Sequence, residues 1–228
     1  MTAAKPVRTE RGIRTRAKLL AAAEQVFSEH GYHDASIVKI TDAAGVGQGT
    51  FYLYFKSKLE VFEELVEDLN RRVRHVMTEG AERGSTRLES ERLGFQAFFQ
   101  FTSDHPALYR IIRQAEFVSP RALHLHYTRI VEGYVAGLRK AGAAGQIDDI
   151  DPVVAAWALM GVGELVGMRW ILWEGASELP PAVFDEVMRF IQRALGARDV
   201  LTPDEPPTRR RSDTTLTVVP TDQTGETT

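Results

Sequence analysis

Residues 45–58, GVGQGTFYLYFKSK, are the stretch of the chain best suited to binding chemistry. Glycines at alternate positions could form a loop that binds phosphate through backbone N–H groups, and a helix that lies in a DNA groove could use the same residues. A dinucleotide loop requires G-x-G-x-x-G directly after a strand. The glycine spacing here differs, the preceding SIVKITDAA predicts a short helix, and no G-x-x-x-x-G-K-S/T occurs. The stretch therefore does not predict a nucleotide-binding loop.

The same residues fit a helix-turn-helix. Two short helices are joined across AGVG, with Ser36 as N-cap of the first and Gly45 as the left-handed turn residue. In the second helix Phe51 and Phe55 are four positions apart, so both face the core. The outward face then carries donors that suit base edges and phosphates. The residues on this face are Gln48, Thr50, Tyr52 and Tyr54.

Catalytic and metal-binding patterns are weak in the rest of the chain. His124 and His126 are two positions apart on a predicted helix, so their side chains point about 200° apart and cannot share a metal ion. The chain has no cysteine, which excludes thiolate ligands, cysteine nucleophiles and disulfides. We therefore predict no enzymatic activity, no metal site and no cofactor.

Charge is distributed unevenly along the 228 residues. Residues 1–59 hold nine Lys and Arg against five Asp and Glu, a net +4, whereas the remainder holds nineteen against twenty-six, a net −7. A basic N-terminal region and an acidic body suggest that only the first part approaches a polyanion. The polar, basic N-terminus has no stretch that resembles a signal peptide, so we expect a cytoplasmic protein.

Helical periodicity runs through almost the whole chain, which predicts an all-α protein. Pro106, Pro120, Pro152 and Pro181 mark helix starts, and Asp151 is a suitable N-cap. The predicted parts are a disordered basic arm (1–10), a three-helix helix-turn-helix DNA-binding domain (11–56), a helical bundle for ligand binding and dimerisation (57–198) and a disordered tail (199–228). The predicted helices cover about 11–30, 36–44, 47–55, 57–83, 86–103, 106–117, 120–142, 152–174 and 181–197.

One segment has the length of a membrane span. Residues 152–173 are apolar apart from Glu164 and Arg169. Each charge near the middle of a bilayer costs about 2.5–3.5 kcal/mol, so we expect a helix buried in the bundle and against a second subunit instead, and no membrane association.

The span 14–62 resembles the N-terminal DNA-binding domain of the TetR family of bacterial transcriptional regulators. The resemblance rests on AAAEQVFSEHGY, Ser36, IVKITDAAGV and GTFYLYFKSK. It implies that Gln48 reads base edges and that Gly49 packs close to the bases of a double-stranded operator. It also implies contacts with phosphate or sugar from Ser36, Thr50, Tyr52, Tyr54 and Lys58. The complete set of DNA-contacting residues that we predict is Ser36, Lys39, Gln48, Gly49, Thr50, Tyr52, Tyr54 and Lys58.

Two positions depart from the family pattern. Gly47 stands where a Ser or Thr N-cap is frequent, and Val38 stands where some members place a base-reading polar side chain. The basic residues Lys5, Arg8, Arg11 and Arg14 have two alternatives, a DNA-contacting arm or solvated disorder.

An aromatic-rich run at 95–118 stands out in the body. It predicts either plain core packing or the wall of a ligand cavity, with Arg113 and Glu116 as polar anchors or as a structural ion pair. The predicted cavity residues are Phe95, Phe98, Phe99, Tyr109, Ile112, Arg113, Glu116, Phe117, Tyr127, Tyr134 and Trp157.

These patterns together predict a dimeric, ligand-responsive transcriptional regulator, most simply a repressor that a small hydrophobic effector releases from a palindromic operator. The effector could be an acyl group, its coenzyme A thioester, or an aromatic, drug-like compound. The alternative is a DNA-binding dimer without an effector. We expect the homodimer to form through helices 152–174 and 181–197, with Gly163 and Gly167 allowing close helix approach.

Overall fold

The structure, a computed structural model, describes residues 9–197, which form helices and no strand. The predicted tail and almost all of the predicted arm, including Lys5 and Arg8, lie outside the described residues. Within them, nine α-helices follow one another, the eighth continued by a π-helix: α1 Glu10–Asp34, α2 Ile37–Ala44, α3 Gln48–Tyr52, α4 Lys58–Ala81, α5 Arg87–Asp104, α6 Ala107–Val118, α7 Pro120–Ala143, α8 Pro152–Gly167, its π-helical end Met168–Trp173, and α9 Pro181–Leu195.

The helix ends follow the capping residues of the sequence. Ser36, Ser57 and Asp151 each accept a hydrogen bond from a backbone N–H in the first turn of α2, α4 and α8, as predicted. α1 runs further than predicted, to Asp34, although Gly31 interrupts it with a φ of 74° and non-helical backbone. α3 is shorter than predicted and ends at Tyr52.

Two hydrophobic clusters form the core of the described residues. The first joins α1–α4 to the end of α5, to α6 and to the start of α7, through side chains that include Phe27, Phe51, Phe62 and Ile111. The second lies among α5, α7, α8 and α9. Because α6 belongs to the first cluster, the helix-turn-helix shares its core with the helical body. The predicted domain boundary at residue 56 stays a prediction.

Pro152–Trp173 is the one described helical span that is long and apolar enough for a membrane span, and buried helices of ordinary globular proteins meet the same criterion. Its inner face packs against the bundle through Ala156, Leu159 and Met168. Gly167 is required at this contact, because a Cβ there would overlap the Tyr109 hydroxyl. The predicted use of Gly163 and Gly167 in the dimer interface is therefore wrong, since both glycines face aromatic side chains of α5 or α6.

Candidate DNA interface and ligand cavity

The helix-turn-helix forms around a sharp turn at Gly45, whose φ of 64° and ψ of 38° lie in the left-handed region that favours glycine. Its N–H donates to the Asp42 carbonyl oxygen at 3.1 Å and closes α2. Phe51 and Phe55 are buried, as predicted, and fix the position of α3 against the core. These contacts hold the start of α3 at the protein surface.

The outward face of α3 carries four of the eight predicted DNA-contacting residues. Gln48, Gly49 and Tyr52 are exposed, and Thr50 is half-buried. No side chain caps α3, because Gly47 stands at its N-cap. Leu53 follows at 80% exposure, an apolar residue on this surface that the sequence analysis did not single out. Donors at the exposed start of a short helix can reach base edges and phosphates, and their contacts with DNA stay a prediction.

The start of α2 holds two more of the predicted contacts, Ser36 and Lys39. Ser36 caps α2 through its hydroxyl oxygen, which accepts the Lys39 N–H at 3.1 Å, while the hydroxyl hydrogen is available to a phosphate. The Lys39 ammonium donates to the Asp34 carbonyl oxygen at 3.1 Å and remains exposed. Val38 is 47% exposed between them.

Lys58 occupies a different environment from the one we predicted. Its ammonium donates to the carbonyl oxygens of Tyr32 at 2.7 Å, Ala35 at 2.8 Å and His33 at 3.3 Å. It also lies 4.5 Å from the centre of the Tyr32 ring. An ammonium has three donor hydrogens, so these carbonyls use all of them. The predicted phosphate contact does not fit this geometry, and Lys58 instead fastens the start of α4 to the end of α1.

Tyr54 also departs from the prediction of an outward side chain. It is half-buried against the first hydrophobic cluster, and its hydroxyl lies beside Gly12 in α1. Since α3 ends at Tyr52, the turn that follows rotates Tyr54 away from the face that carries Gln48.

A cavity lies between α4, α5, α6, α7 and α8. It encloses about 570 Å³ of space not occupied by protein atoms, including its mouth. Six of the eleven predicted cavity residues line it: Phe95, Phe98, Tyr109, Ile112, Tyr127 and Tyr134. The lining residues that we did not predict are Met77, Leu108, His126, Ile130, Leu159, Met160, Gly163 and Glu164.

Glu164 and Tyr127 form the polar centre of this cavity. The Tyr127 hydroxyl donates to the Glu164 carboxylate, with oxygen–oxygen distances of 2.9 and 3.0 Å. Burial raises the pKa of Tyr127 well above its ordinary value, and the neighbouring Glu164 charge adds to the increase. The hydroxyl therefore stays protonated and keeps its hydrogen for the carboxylate. Of the described residues that line the cavity, Glu164 is the only acid, and none is lysine or arginine.

His126 connects the cavity to α4. Asn70 donates from Nδ2 to the His126 carbonyl oxygen at 2.9 Å, and the same nitrogen lies 3.1 Å from His126 Nδ1. With Nδ2 as donor, Nδ1 accepts and the ring proton lies on Nε2. Burial lowers the pKa of His126 to about 4, so the ring is neutral at pH 7. His124 is exposed, and the described residues contain no cluster of side chains that could hold a metal ion.

Five predicted cavity residues lie outside the lining. Arg113, Glu116 and Phe117 are exposed on α6, and Phe117 is 83% exposed. No ion pair joins Arg113 to Glu116 in the described part of the chain; the Arg113 guanidinium lies near Met168 instead. The remaining two are Phe99, which is buried behind Phe98, and Trp157, which is 46% exposed.

The first half of α6 lines the cavity, through Leu108, Tyr109 and Ile112. Arg113, Glu116 and Phe117 lie in the second half of the helix, outside the lining, and their side chains are exposed. The sequence did not predict Glu164 as a cavity residue, because the only pattern that drew attention to it was the apolar segment in which it is one of two charges.

The opposite face of α6 contacts α1. Gln114 accepts the Tyr32 backbone N–H at 2.5 Å, and Ile111 and Ala115 are fully buried in the shared core. One short helix thus carries both a wall of the cavity and a direct hydrogen bond to the end of α1.

An apolar surface covers α8, its π-helical end and α9. Of the larger apolar residues on these helices, Trp157 and Phe190 are exposed, whereas Val166, Trp170, Val183 and Val187 are half-buried against the second cluster. Four further apolar side chains are exposed here: Val153, Val154, Leu165 and Trp173. Several exposed apolar side chains on two neighbouring segments of the chain are typical of a protein interface.

Comparisons with known proteins agree with this fold. Residues 19–65 match the family model described as bacterial regulatory proteins, tetR family. The uncharacterized HTH-type transcriptional regulator YdgC of Bacillus subtilis is 39% identical over 117 residues, which are 49% of this chain and 58% of YdgC. The HTH-type transcriptional activator FasR of Mycolicibacterium smegmatis is 34% identical over 108 residues, 46% of this chain and 48% of FasR. The chain thus spans about half the length of these two relatives.

Matches over more of the chain are more distant. The fatty acid metabolism regulator protein of Bacillus subtilis is 28% identical over 68% of this chain and 82% of its own length. Among solved structures, FadR from Bacillus subtilis in complex with stearoyl-CoA has a TM-score of 0.69 at 22% identity, covering 77% of this chain and 96% of that one. The fatty acid degradation regulator FadR from Bacillus halodurans has a TM-score of 0.72 at 22% identity, covering 86% and 100%. At this identity the structures establish the fold.

Proposed function

We propose that the chain is a ligand-responsive repressor of the TetR family of bacterial transcriptional regulators, which are not enzymes, and that it binds a palindromic operator as a dimer. The match of residues 19–65 to the family model and the 39% identity to YdgC support the family. The observation that carries the proposal is the position of α6. Tyr109 and Ile112 of α6 line the cavity. Gln114 of the same helix accepts a hydrogen bond from the backbone N–H of Tyr32 at the end of α1. A ligand that displaces α6 would therefore move the DNA-binding helices.

The effector is a hydrophobic molecule that carries a fatty acyl chain. The aromatic and aliphatic lining of the cavity supports this ligand class, as do two similar proteins: a fatty acid metabolism regulator, and a FadR structure that contains stearoyl-CoA. The enclosed space is small for a long acyl chain, since the volume of about 570 Å³ includes the open mouth of the cavity. Acyl binding must therefore push wall side chains apart, and this strain gives the ligand its preference between the two states.

Two routes lead from the cavity to DNA. The first is α6, through Gln114. The second is α4. Asn70 in the middle of this helix donates a hydrogen bond to His126 in the cavity, and Lys58 at its start donates a hydrogen bond to the end of α1. A shift of a few ångströms in either helix would misplace two recognition helices that a palindromic site requires about 34–36 Å apart.

The exposed apolar surface of α8 and α9 supports the homodimer that this spacing requires. Leu165→Glu would place a charge in the interface and should give a monomer that has lost operator binding. Arg139→Glu, at an exposed position of α7 outside these two helices, is the control. We place the protein in the cytoplasm, where operator DNA is found.

The proposal is tested with an operator selected from random duplex DNA by the purified protein. Small molecules retained after incubation with a cell extract would be identified by mass spectrometry and titrated against the protein–operator complex. We expect an acyl compound that releases the DNA, and a higher concentration for release from Gln114→Ala than from the control Gln100→Ala. Operator binding that no retained or acyl compound changes would favour a DNA-binding dimer without an effector.

A further inference from the structure

A second groove, formed by α4, α5 and α7, lies beside the apolar cavity. It encloses about 1150 Å³ including its open side. Four cationic side chains line it: Arg74, Arg87, Arg129 and Lys140. The acidic residues that face it are Glu82 and Glu91. The groove thus differs from the cavity both in its size and in the sign of its charge.

Two of the four cations are already paired. Arg87 forms an ion pair with the buried Glu91, and Arg129 lies 2.9 Å from Glu67. Arg74 of α4 and Lys140 of α7 are exposed, and neither forms an ion pair with any other residue that the structure describes. These two side chains, on two different helices of the groove, are therefore available to an anionic ligand.

The groove and the cavity are separated by a thin wall. Met77, Ile130 and Tyr134 line both spaces, so the wall between them is about one side chain thick. Met77 has three rotatable side-chain bonds and can move at little cost. A ligand with a long apolar part and an anionic part could occupy both spaces at once.

The charges decide which part of the ligand lies on which side. The cavity offers the Glu164 carboxylate to an anion and no cation from its described lining, so a free fatty acid would bring a second carboxylate to a site that repels it. The groove offers unpaired cations, which bind phosphate through charge-assisted hydrogen bonds.

We propose that the effector is an acyl thioester of coenzyme A, with its acyl chain in the cavity and its phosphates in the groove on Arg74 and Lys140. This inference rests on the proposed function and specifies its ligand. It makes the groove responsible for selecting the thioester over the free acid.

The test compares two thioesters with the same acyl chain. Lauroyl-CoA carries the phosphates, and lauroyl-N-acetylcysteamine keeps the thioester but has none. Calorimetry would measure the Kd of each for the full chain and for Arg74→Ala/Lys140→Ala. We expect the double variant to weaken lauroyl-CoA binding about tenfold or more and to leave binding of the phosphate-free thioester unchanged. Arg139→Ala, an exposed neighbour of Lys140 on α7 that does not line the groove, should change neither Kd.

Two outcomes would overturn the groove while leaving the proposed function intact. In one, lauroyl-CoA binds wild type and the double variant equally and still releases the operator. In the other, the phosphate-free thioester binds wild type as tightly as lauroyl-CoA. If no acyl compound binds or releases DNA, the proposed function itself fails, and this inference fails with it. A folded double variant, checked by its unchanged Tm, keeps these outcomes distinct.

Discussion

The Tyr127 hydroxyl of α7 donates to the Glu164 carboxylate of α8 at 2.9 Å, inside a cavity whose other walls are mainly apolar. The carboxylate is half-buried, and the phenol replaces part of the hydration that it loses. A buried acceptor that loses its donor keeps the cost of its desolvation. This pair therefore stabilises the folded protein and also sets the polarity that a ligand meets.

Tyr127→Phe removes the donor and retains the ring. We expect the free energy of unfolding to fall by about 1–3 kcal/mol, measured by urea denaturation. The control is Tyr52→Phe on the exposed surface of α3, which should change stability by less than about 0.5 kcal/mol. In a double-mutant cycle with Glu164→Gln, the two effects should not add; simple additivity would show that the pair does not act as a unit.

His126 should make stability depend on pH. Its pKa is about 4 in the folded protein and about 6.5 in the unfolded chain, so between these values the unfolded state binds more protons. The free energy of unfolding therefore decreases as pH falls from about 6.5 to about 4, by on the order of 3 kcal/mol, and this contribution is constant below pH 4.

Comparison of variants isolates this contribution. His126→Gln should flatten the pH dependence of stability between pH 4 and 6.5, whereas the exposed neighbour replaced in His124→Gln should leave it as in wild type. The same slope in all three proteins would mean that folding does not lower the pKa of His126.

Lys58 should act on the stability of the DNA-binding region. Lys58→Met keeps the aliphatic stem and removes the charge from three carbonyl oxygens at the end of α1. We expect a loss of about 1–3 kcal/mol and weaker operator binding with an unchanged salt slope. Lys56→Met, at an exposed position nearby, should leave stability unchanged. A direct phosphate contact would instead lower the slope of log K against log salt by about 0.9 without loss of stability.

Gln48 is the residue we expect to read bases. Gln48→Ala should weaken binding to the selected operator by about 1–3 kcal/mol and leave binding to random DNA unchanged. Gln96→Ala, at an exposed position of α5, is the control and should bind both DNAs as wild type does. Equal losses on both DNAs, measured by fluorescence anisotropy at one fixed salt concentration, would show that Gln48 contacts no base.

The sequence predicted the fold well because its signals are local. Ser36, Gly45 and Ser57 act on the first turn or the end of their own helices, and prolines mark helix starts in the body. The spacing of Phe51 and Phe55 correctly predicted their burial. These signals require no knowledge of distant residues.

The site was predicted less completely because it depends on how far the cavity extends along α6 and on distant partners. Arg113 and Glu116 were expected in the cavity, but the lining on α6 ends at Ile112, and both side chains are exposed. The Lys58 ammonium donates hydrogen bonds to carbonyl oxygens 23 to 26 positions earlier in the chain, a contact that no local pattern reveals. Glu164 meets Tyr127 only after α7 and α8 have packed.

The most direct test of the central claim fills the cavity and follows DNA release. Phe98→Trp and Ile112→Phe enlarge side chains that line the cavity and leave the surface of α3 unchanged. Operator occupancy would be measured by fluorescence anisotropy during titration with lauroyl-CoA, for wild type and for each variant that keeps its Tm and dimeric state. We predict release of wild type, together with variants that either hold the operator at ligand concentrations that release wild type or fail to bind it without ligand. Variants that bind the operator normally and are released at the wild-type concentration would contradict an effector site in this cavity.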